Sequence, residues 1–589
     1  MNKEEPFSSL DRHLASLMTR LAESKDNSLE LATLLLSRQQ TSGNTCLSFE
    51  EVSEAELSAG KNADLWTKAL RATGMVGKPG DLKPLILDKK DRLYLRRYWE
   101  YEQSLAASIK KLLAAPPPSF DQELLSAGLD RLFPENQQTN WQRVAASKAI
   151  ARNFCVITGG PGTGKTRTVI GILALLVEQA GGPLRIALAA PSGKAAARLK
   201  ESIESSKEKL DCAGQVKAWL PNEASTIHRL LGVIPDSPYF RHNAERPLVV
   251  DAVIIDEASM VDLATMAKLF AAIPAGARVI LLGDQDQLTS VEAGYVLGDI
   301  CHAPPESKSP AKLTPQLSFA FGQGSSSQPL RDSIVELRKN YRFPEESGIY
   351  QLVEAINRGD ADAALKLLRD ESHADIAWKI LPHARTLPKS LRETVVMSYQ
   401  SYLETSDPRE ALRRFDEYRV LCAVRNGPYG VVELNRLIEG ALFDAGLLRE
   451  IEHSYHGQPV MVTRNDYNNR LFNGDVGITM ADPGAGGEKR TFFASAEGKL
   501  RRVLPSRLPI HETAFAMTVH KSQGSEFARV LLLLPERDSP LLTRELLYTG
   551  LTRARQGLEI WATESVLRAA IAKQVRRSSG LREALWEET

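Results

Sequence analysis

The chain has 589 residues, 43% of them hydrophobic, which at roughly 100–200 residues per domain predicts three or four packed domains and excludes a disordered polymer. Lys+Arg of 74 against Asp+Glu of 73 leaves a net charge of +1, so any nucleic-acid contact has to come from local basic strips and not from a global field. The five cysteines, Cys46, Cys155, Cys212, Cys301 and Cys422, contain no C-x-x-C pair, which argues against a zinc site or disulfide framework and predicts a reducing compartment.

The start, "MNKEEPFSSL", lacks an apolar signal core, and no run reaches the roughly 18 apolar residues of a membrane helix, so a cytoplasmic location is expected. Residues 1–115 read as a helical domain, with helical apolar spacing in "LDRHLASLMTRLAE" and "SLELATLLLSRQQ". "AAPPPSF" (114–120) reads as a linker. From about 140 onward apolar runs alternate with amphipathic helices: "FCVITGG", "RIALAAPS", "DAVIIDEAS", "ARVILLGDQ". This pattern predicts an α/β domain over 125–345 with a parallel sheet covered on both faces. Residues 303–329 form a Pro/Ser-rich loop. A second α/β domain is expected over 346–589, with strands in "YRVLCAVRN", "ARVLLLLP" and "LEIWAT". Within it, short runs over 456–512 predict a small inserted β-barrel or meander.

"FCVITGGPGTGKTRTVIGILALL" is a strand, a glycine-rich loop and a helix in order. Gly159, Gly164, Lys165 and Thr166 fit G-x-x-x-x-G-K-[ST]. The loop, with Gly160, Pro161, Gly162, Thr163 and Arg167, turns backbone N–H groups onto phosphates. Lys165 supplies a point charge for the outer phosphates of ATP, and Thr166 a hydroxyl for Mg²⁺. "AVIIDEAS" ends a strand in Asp256, suited to the Mg²⁺ shell, and Glu257, suited to polarise the attacking water. Gln142, some twenty residues before the loop, carries an amide that matches the adenine edge. Gln287, in "LLGDQDQLTSVEAG", is a candidate γ-phosphate sensor, and "ELRKNYRF" and "YTGLTRARQG" add Arg342 and Arg553. Taken singly, each of these is an ordinary surface residue; Arg555 keeps that reading.

The ordered set "GGPGTGKT", "APSGKAAARL", "STIHRLLG", "IIDEAS", "GDQDQLTSVEAG", "LRKNYRF", "NGDVG", "TVHKSQGSE" and "YTGLTRAR" resembles superfamily 1 helicases of the 5′→3′ branch, and within it the RecD family, the alpha subunits of exodeoxyribonuclease V. The resemblance covers about 140–565. It implies two RecA-like P-loop domains with ATP between them, an SH3-like barrel insertion, and an N-terminal domain that docks partners. It implies that Lys165, Thr166, Asp256, Glu257 and Gln287 come from the first domain, Arg342 from the junction and Arg553 from the second, with Gly524 and Glu526 facing the nucleotide. RecB-like and RecC-like subunits and a DNA duplex end are the implied partners, with nuclease chemistry on a partner chain.

For the DNA track, Ser192, Gly193 and Lys194 sit at a predicted helix start suited to a phosphate. Thr226, His228, Thr518, His520 and Lys521 lie in segments that resemble DNA-contact motifs of the family. "RNDYNNRLFNGDVG" adds Asn473, with Tyr467 available for base stacking and Phe472 expected in the insertion's core. Residues 233–250 read as a hairpin wedge, two short strands and a turn. Two other readings remain open. A stand-alone RecD-like helicase would carry helix-hairpin-helix repeats, whose G-h-G turns residues 1–113 lack. A regulatory subunit would bind ATP as a switch without translocating.

Overall fold

The protein is described here by a computed structural model covering residues 7–22, 27–52, 63–134, 139–303, 329–451, 454–466, 468–494 and 500–587. Almost all of the Pro/Ser-rich loop, and Tyr467, lie outside the described residues.

The two predicted N-terminal helices form, as Ser9–Ala22 and Asn27–Thr41. The region is not all-helical, however. Strands β1 (Cys46–Ser48), β2 (Val76–Gly77), β3 (Leu85–Leu87) and β4 (Arg92–Leu95) make a sheet in the order β1-β4-β3-β2. Strands of two to four residues are too short to show a period of two, so the helical pattern dominated the reading. Trp66, Leu36, Leu85 and Leu93 are among the residues that fill the core between this sheet and its helices. The following helix, Arg96–Ala114, leaves that core: its Leu105, Ala106 and Ile109 pack with Met266 and Phe270 of the next domain.

The first α/β sheet holds β5 (Phe154–Thr158), β6 (Ile186–Ala190), β7 (Ala224–Thr226), β8 (Ala252–Ile255), β9 (Arg278–Gly283) and β10 (Ile334–Glu336). All are parallel, in the order β10-β5-β9-β8-β6-β7. β5 and β8 are buried throughout, because helices cover both faces. The expected wedge at 233–250 is not two strands: one antiparallel bridge, Val233 with Phe240, closes an otherwise irregular loop.

The second sheet holds β11 (Ile376–Lys379) and β12 (Tyr418–Cys422) before the insertion, and β18 (Ala516–Thr518), β19 (Phe527–Leu533) and β20 (Ala554–Trp561) after it. It is parallel, in the order β11-β20-β19-β12-β18. The insertion comprises β13 (Gln458–Val462), β14 (Val476–Ala481), β15 (Lys489–Ala494), β16 (Leu500–Val503) and β17 (His511–Thr513). These form an antiparallel sheet in the order β16-β15-β14-β13-β17, and among the described residues no ladder joins β16 to β17 to close a barrel.

The C-terminal segment does not stay with the second domain as the 346–589 boundary expects. Leu581 and Leu585 bury into the first domain's core. Arg577 Nη1 donates to Gly294 O at 2.6 Å and Glu292 O at 3.0 Å, and Nη2 donates to Ser290 O at 2.7 Å. Gly580 N donates to the buried carboxylate of Glu102. One strap thus ties together both α/β domains and the N-terminal region.

Candidate nucleotide site and nucleic-acid interface

Parallel strands bring their C-terminal ends to one edge, and the loops leaving that edge build the site. β5 runs into the glycine loop, β8 into Asp256 and Glu257, and β9 into Asp284 and Gln287. Gly162 and Gly164 take φ of +83°, left-handed backbone that favours glycine. A side chain at Gly162 would also strike Arg342.

A cavity of about 440 Å³ lies at this edge. Its lining brings together Pro161, Gly162, Gly164, Lys165, Thr166, Arg167, Asp256, Glu257, Gln287, Arg342, Gly524, Glu526 and Arg553, residues separated by up to several hundred positions in the chain. Gly159, Gly160 and Thr163 complete the loop without lining this cavity. Lys165 Nζ donates to Gly159 O and Gly160 O at 2.5 and 3.1 Å, and Thr163 Oγ1 donates to Gly160 O at 2.8 Å. Gln142 Nε2 donates to Thr163 O at 3.1 Å. That amide borders a second, smaller hollow with Trp141, Arg338 and Tyr341, so it braces the loop while facing a recess beside it.

Burial, and next the neighbouring Glu257, push the Asp256 carboxyl up to about 6, against the pull of Lys165 and Arg198. Glu257 sits at φ +52°, a conformation rare for a residue with a Cβ. The hydroxyl of Thr166 and the carboxylate of Asp256 line one wall, and hard oxygen donors of this kind suit Mg²⁺.

The second domain supplies the opposite wall. Arg553, 3% exposed, donates from Nε to Thr549 O at 3.0 Å and from Nη1 to Ser525 O at 3.1 Å. Burial lowers its pKa, and Glu257 and Glu526 oppose that. Arg198 was missed by the sequence reading. It projects from the helix Gly193–Lys207 into the cavity, and its guanidinium donates to Gly524 O across the domain junction. The available signal was its spacing: Ala195, Arg198, Leu199 and Ser202 share one helix face.

Of the candidate DNA residues, Ser192, Gly193 and Lys194 follow the end of β6, Thr226 ends β7 and Thr518 ends β18. Ser192 caps its helix by accepting from Ala195 N, and Thr226 caps Ile227–Leu231 by accepting from Arg229 N. Thr226 pairs with Ala190, so it neighbours the Ser192 turn. His228 is exposed, its ring 5.5 Å from that of Phe240. Lys521 Nζ donates to Asn473 Oδ1 at 2.8 Å, and Lys521 N to Thr518 Oγ1 at 3.3 Å, which links the insertion to the second domain. Burial lowers the pKa of His520, and the nearby Arg577 adds to this.

One expectation changes, and one residue has an unexpected setting. Phe472 is not core: Leu471 is buried there, and Phe472 lies so close over Gly193 that a Cβ on that glycine would come 2.8 Å from it. Lys194, read as suited to a phosphate, is half-buried beside acidic groups of the second domain. Burial brings its ammonium down to about 8, with Asp416 and Asp475 of the second domain opposing the shift.

A cleft whose phosphate loop, Arg198 and Arg342 come from the first domain and whose Arg553 and Glu526 come from the second is the arrangement of helicase-class P-loop ATPases, the class to which the fold and site assign the chain. Family models agree: residues 142–293 match an AAA domain, residues 513–560 a UvrD-like helicase C-terminal domain, and residues 3–94 the N-terminal domain of RecBCD enzyme subunit RecD.

The chain belongs to the RecD family. It is 40% identical to the RecBCD enzyme subunit RecD of Mycolicibacterium smegmatis, over 98% of this chain and 97% of that one. To its Haemophilus influenzae counterpart it is 38% identical, covering 83% and 79%. It is also 32% identical to the ATP-dependent RecD2 DNA helicase of Deinococcus radiodurans, over 82% of this chain and 57% of that protein. A crystal structure of Bacteroides Pif1 bound to ssDNA overlays with a TM-score of 0.38 at 19% identity, covering 73% of this chain and 94% of that one.

Proposed function

We propose that this chain is an ATP-dependent 5′→3′ DNA helicase, the motor subunit of a RecBCD-type complex that it forms with RecB-like and RecC-like subunits at double-strand DNA ends. The observation that carries the reading is the two-domain cleft, with Lys165, Asp256 and Glu257 on one wall and Arg553 and Glu526 on the other. Lys165 and the glycine loop hold the phosphates, Thr166 and Asp256 the Mg²⁺, and Glu257 takes up the proton of the attacking water. Arg342 and Arg553 stabilise charge on the transferred phosphoryl group, so that turnover opens and closes the cleft. Gln142 reads the adenine. The track runs along Ser192, Gly193, Lys194, Thr226, His228, Asn473, Thr518, His520 and Lys521. The polarity and the partners rest on the family.

The N-terminal domain over about 1–115 is the docking unit for partners, and the 456–512 insertion is an SH3-like element beside the track. Substituting Lys165→Gln tests motor against switch. The assembled complex should lose unwinding driven from a 5′ single-stranded tail; full retention would leave the chain as a scaffold that binds ATP without translocating.

A further inference from the structure

Asp284 is a single carboxylate on which the two motor domains converge. It leaves β9 at the sheet edge and is 1% exposed. Its Oδ2 accepts two hydrogen bonds, from Gln287 Nε2 at 2.9 Å and from the Tyr548 hydroxyl at 2.9 Å. Gln287 belongs to the first domain and lines the nucleotide cavity. Tyr548 belongs to the second, on the helix Arg544–Leu551, and its hydroxyl also overhangs the phosphate loop: a Cβ on Gly160 would come 2.9 Å from it. The next residues along each segment are joined too. Leu288 N donates to Thr549 Oγ1 at 2.9 Å, and Gln523 Nε2 donates to Leu288 O at 3.0 Å. The Leu288 side chain packs in the second domain's core. One helical turn therefore carries the phenol that reaches Asp284, the hydroxyl that holds Leu288, and the carbonyl of Thr549 that holds Arg553.

We propose that Tyr548 is a positioning residue for ATP hydrolysis, acting through Asp284 to set the Gln287 amide only while the second domain is seated against the first. This rests on the reading of the cleft as the ATP site with Gln287 facing the γ-phosphate. A carboxylate oxygen that takes two donors fixes both. The Gln287 NH₂ turns toward Asp284, and its second N–H and its carbonyl oxygen are left for the cleft. When the second domain withdraws, Tyr548 leaves and the amide loses its fixed partner. The phenol keeps the proton that it donates to Asp284, since burial and then Asp284 itself raise its pKa well above the ordinary range.

The test is steady-state ATP hydrolysis by the full-length chain with saturating single-stranded DNA. Tyr548→Phe keeps the ring and deletes the hydroxyl. Its kcat should fall about tenfold, the scale of one hydrogen bond to a charged group, with KM for ATP within about twofold. Tyr548→Phe added to Gln287→Ala should cost nothing further, because the phenol acts through that amide. An unchanged kcat, losses that multiply in the double variant, or a raised KM accompanied by a lowered melting temperature would each overturn the inference. Lys165→Gln in parallel separates the two claims. Hydrolysis surviving that change removes the ATP-site reading itself, whereas its loss alongside a normal Tyr548→Phe removes only the coupling.

Discussion

Arg342 and Glu526 are joined across the nucleotide cleft, Nη2 to Oε1 at 2.5 Å, while Arg342 Nη1 donates to Thr552 O at 3.3 Å. Burial pushes the Glu526 carboxyl up, but Arg342, Arg198 and Arg553 around it bring it below its ordinary value. A folded pKa below the unfolded one means that this pair stabilises above the ordinary carboxylate range and is lost only as pH falls through the lowered value. One carboxylate thus faces three guanidinium groups in the cleft and neutralises only part of their charge.

Glu526→Gln should therefore strengthen nucleotide binding by about threefold, since Arg342 no longer has to leave an anionic partner to meet a phosphate. Titration with a fluorescent ATP analogue measures it. Weakened binding would instead make Glu526 a direct holder of the nucleotide.

Arg553 is anchored by three hydrogen bonds within its own domain, to Thr549 O, Ser525 O and Thr552 Oγ1. Arg553→Lys keeps the charge and loses the planar fork. Hydrolysis should drop by about 10³, with ATP binding within a few-fold. Near-normal turnover would reduce Arg553 to a structural brace.

The strap supplies a stability prediction. Arg577→Ala removes the donors to Ser290, Glu292 and Gly294, the loop that follows Gln287. The loss should be about 2–4 kcal/mol by denaturant midpoint, with faster amide exchange over 288–294. Unaltered exchange there would mean that the loop is held by the second domain alone.

Glu102 supplies a pH prediction. Its carboxylate is fully buried and accepts from Thr45 Oγ1, Ser579 Oγ and Gly580 N, and burial raises it to about 7 from an ordinary 4.5, with Asp299 adding to the rise and Arg92 opposing it. The folded state then binds more protons than the unfolded between these values. The Glu102 contribution to stability is therefore fully present at low pH and declines as pH rises toward about 7. Glu102→Gln should remove that slope from a melting-temperature series over this range. Parallel slopes for the two proteins would place the titration elsewhere.

Lys521 Nζ donates to Asn473 of the insertion. If it also meets a backbone phosphate, Lys521→Ala should lower the salt slope of single-strand binding by about 0.7. An unchanged slope would leave Lys521 as a tie between the second domain and the insertion.

The sequence by itself determined the phosphate loop and the acidic pair, because each lies in a short segment whose strand-then-loop order fixes its place at a sheet edge, whereas Gln287, Arg342 and Arg553 were legible only through the ordered motif set that resembles the family. It also showed the central strands of both sheets, since strands buried on two faces must be apolar throughout, but not the edge strands β7 and β11, which are only partly buried. Tertiary structure alone decided the rest. The N-terminal strands β1–β4 are too short to show a period, and they exist because neighbours complete their ladders. Phe472 over Gly193, Arg198 against Gly524, Arg577 over the 290–294 turn and Tyr548 on Asp284 are contacts between residues far apart in the chain. Local propensity and periodicity carry no term for such pairs. They form only when two domains, each specified by its own pattern, close on a shared edge.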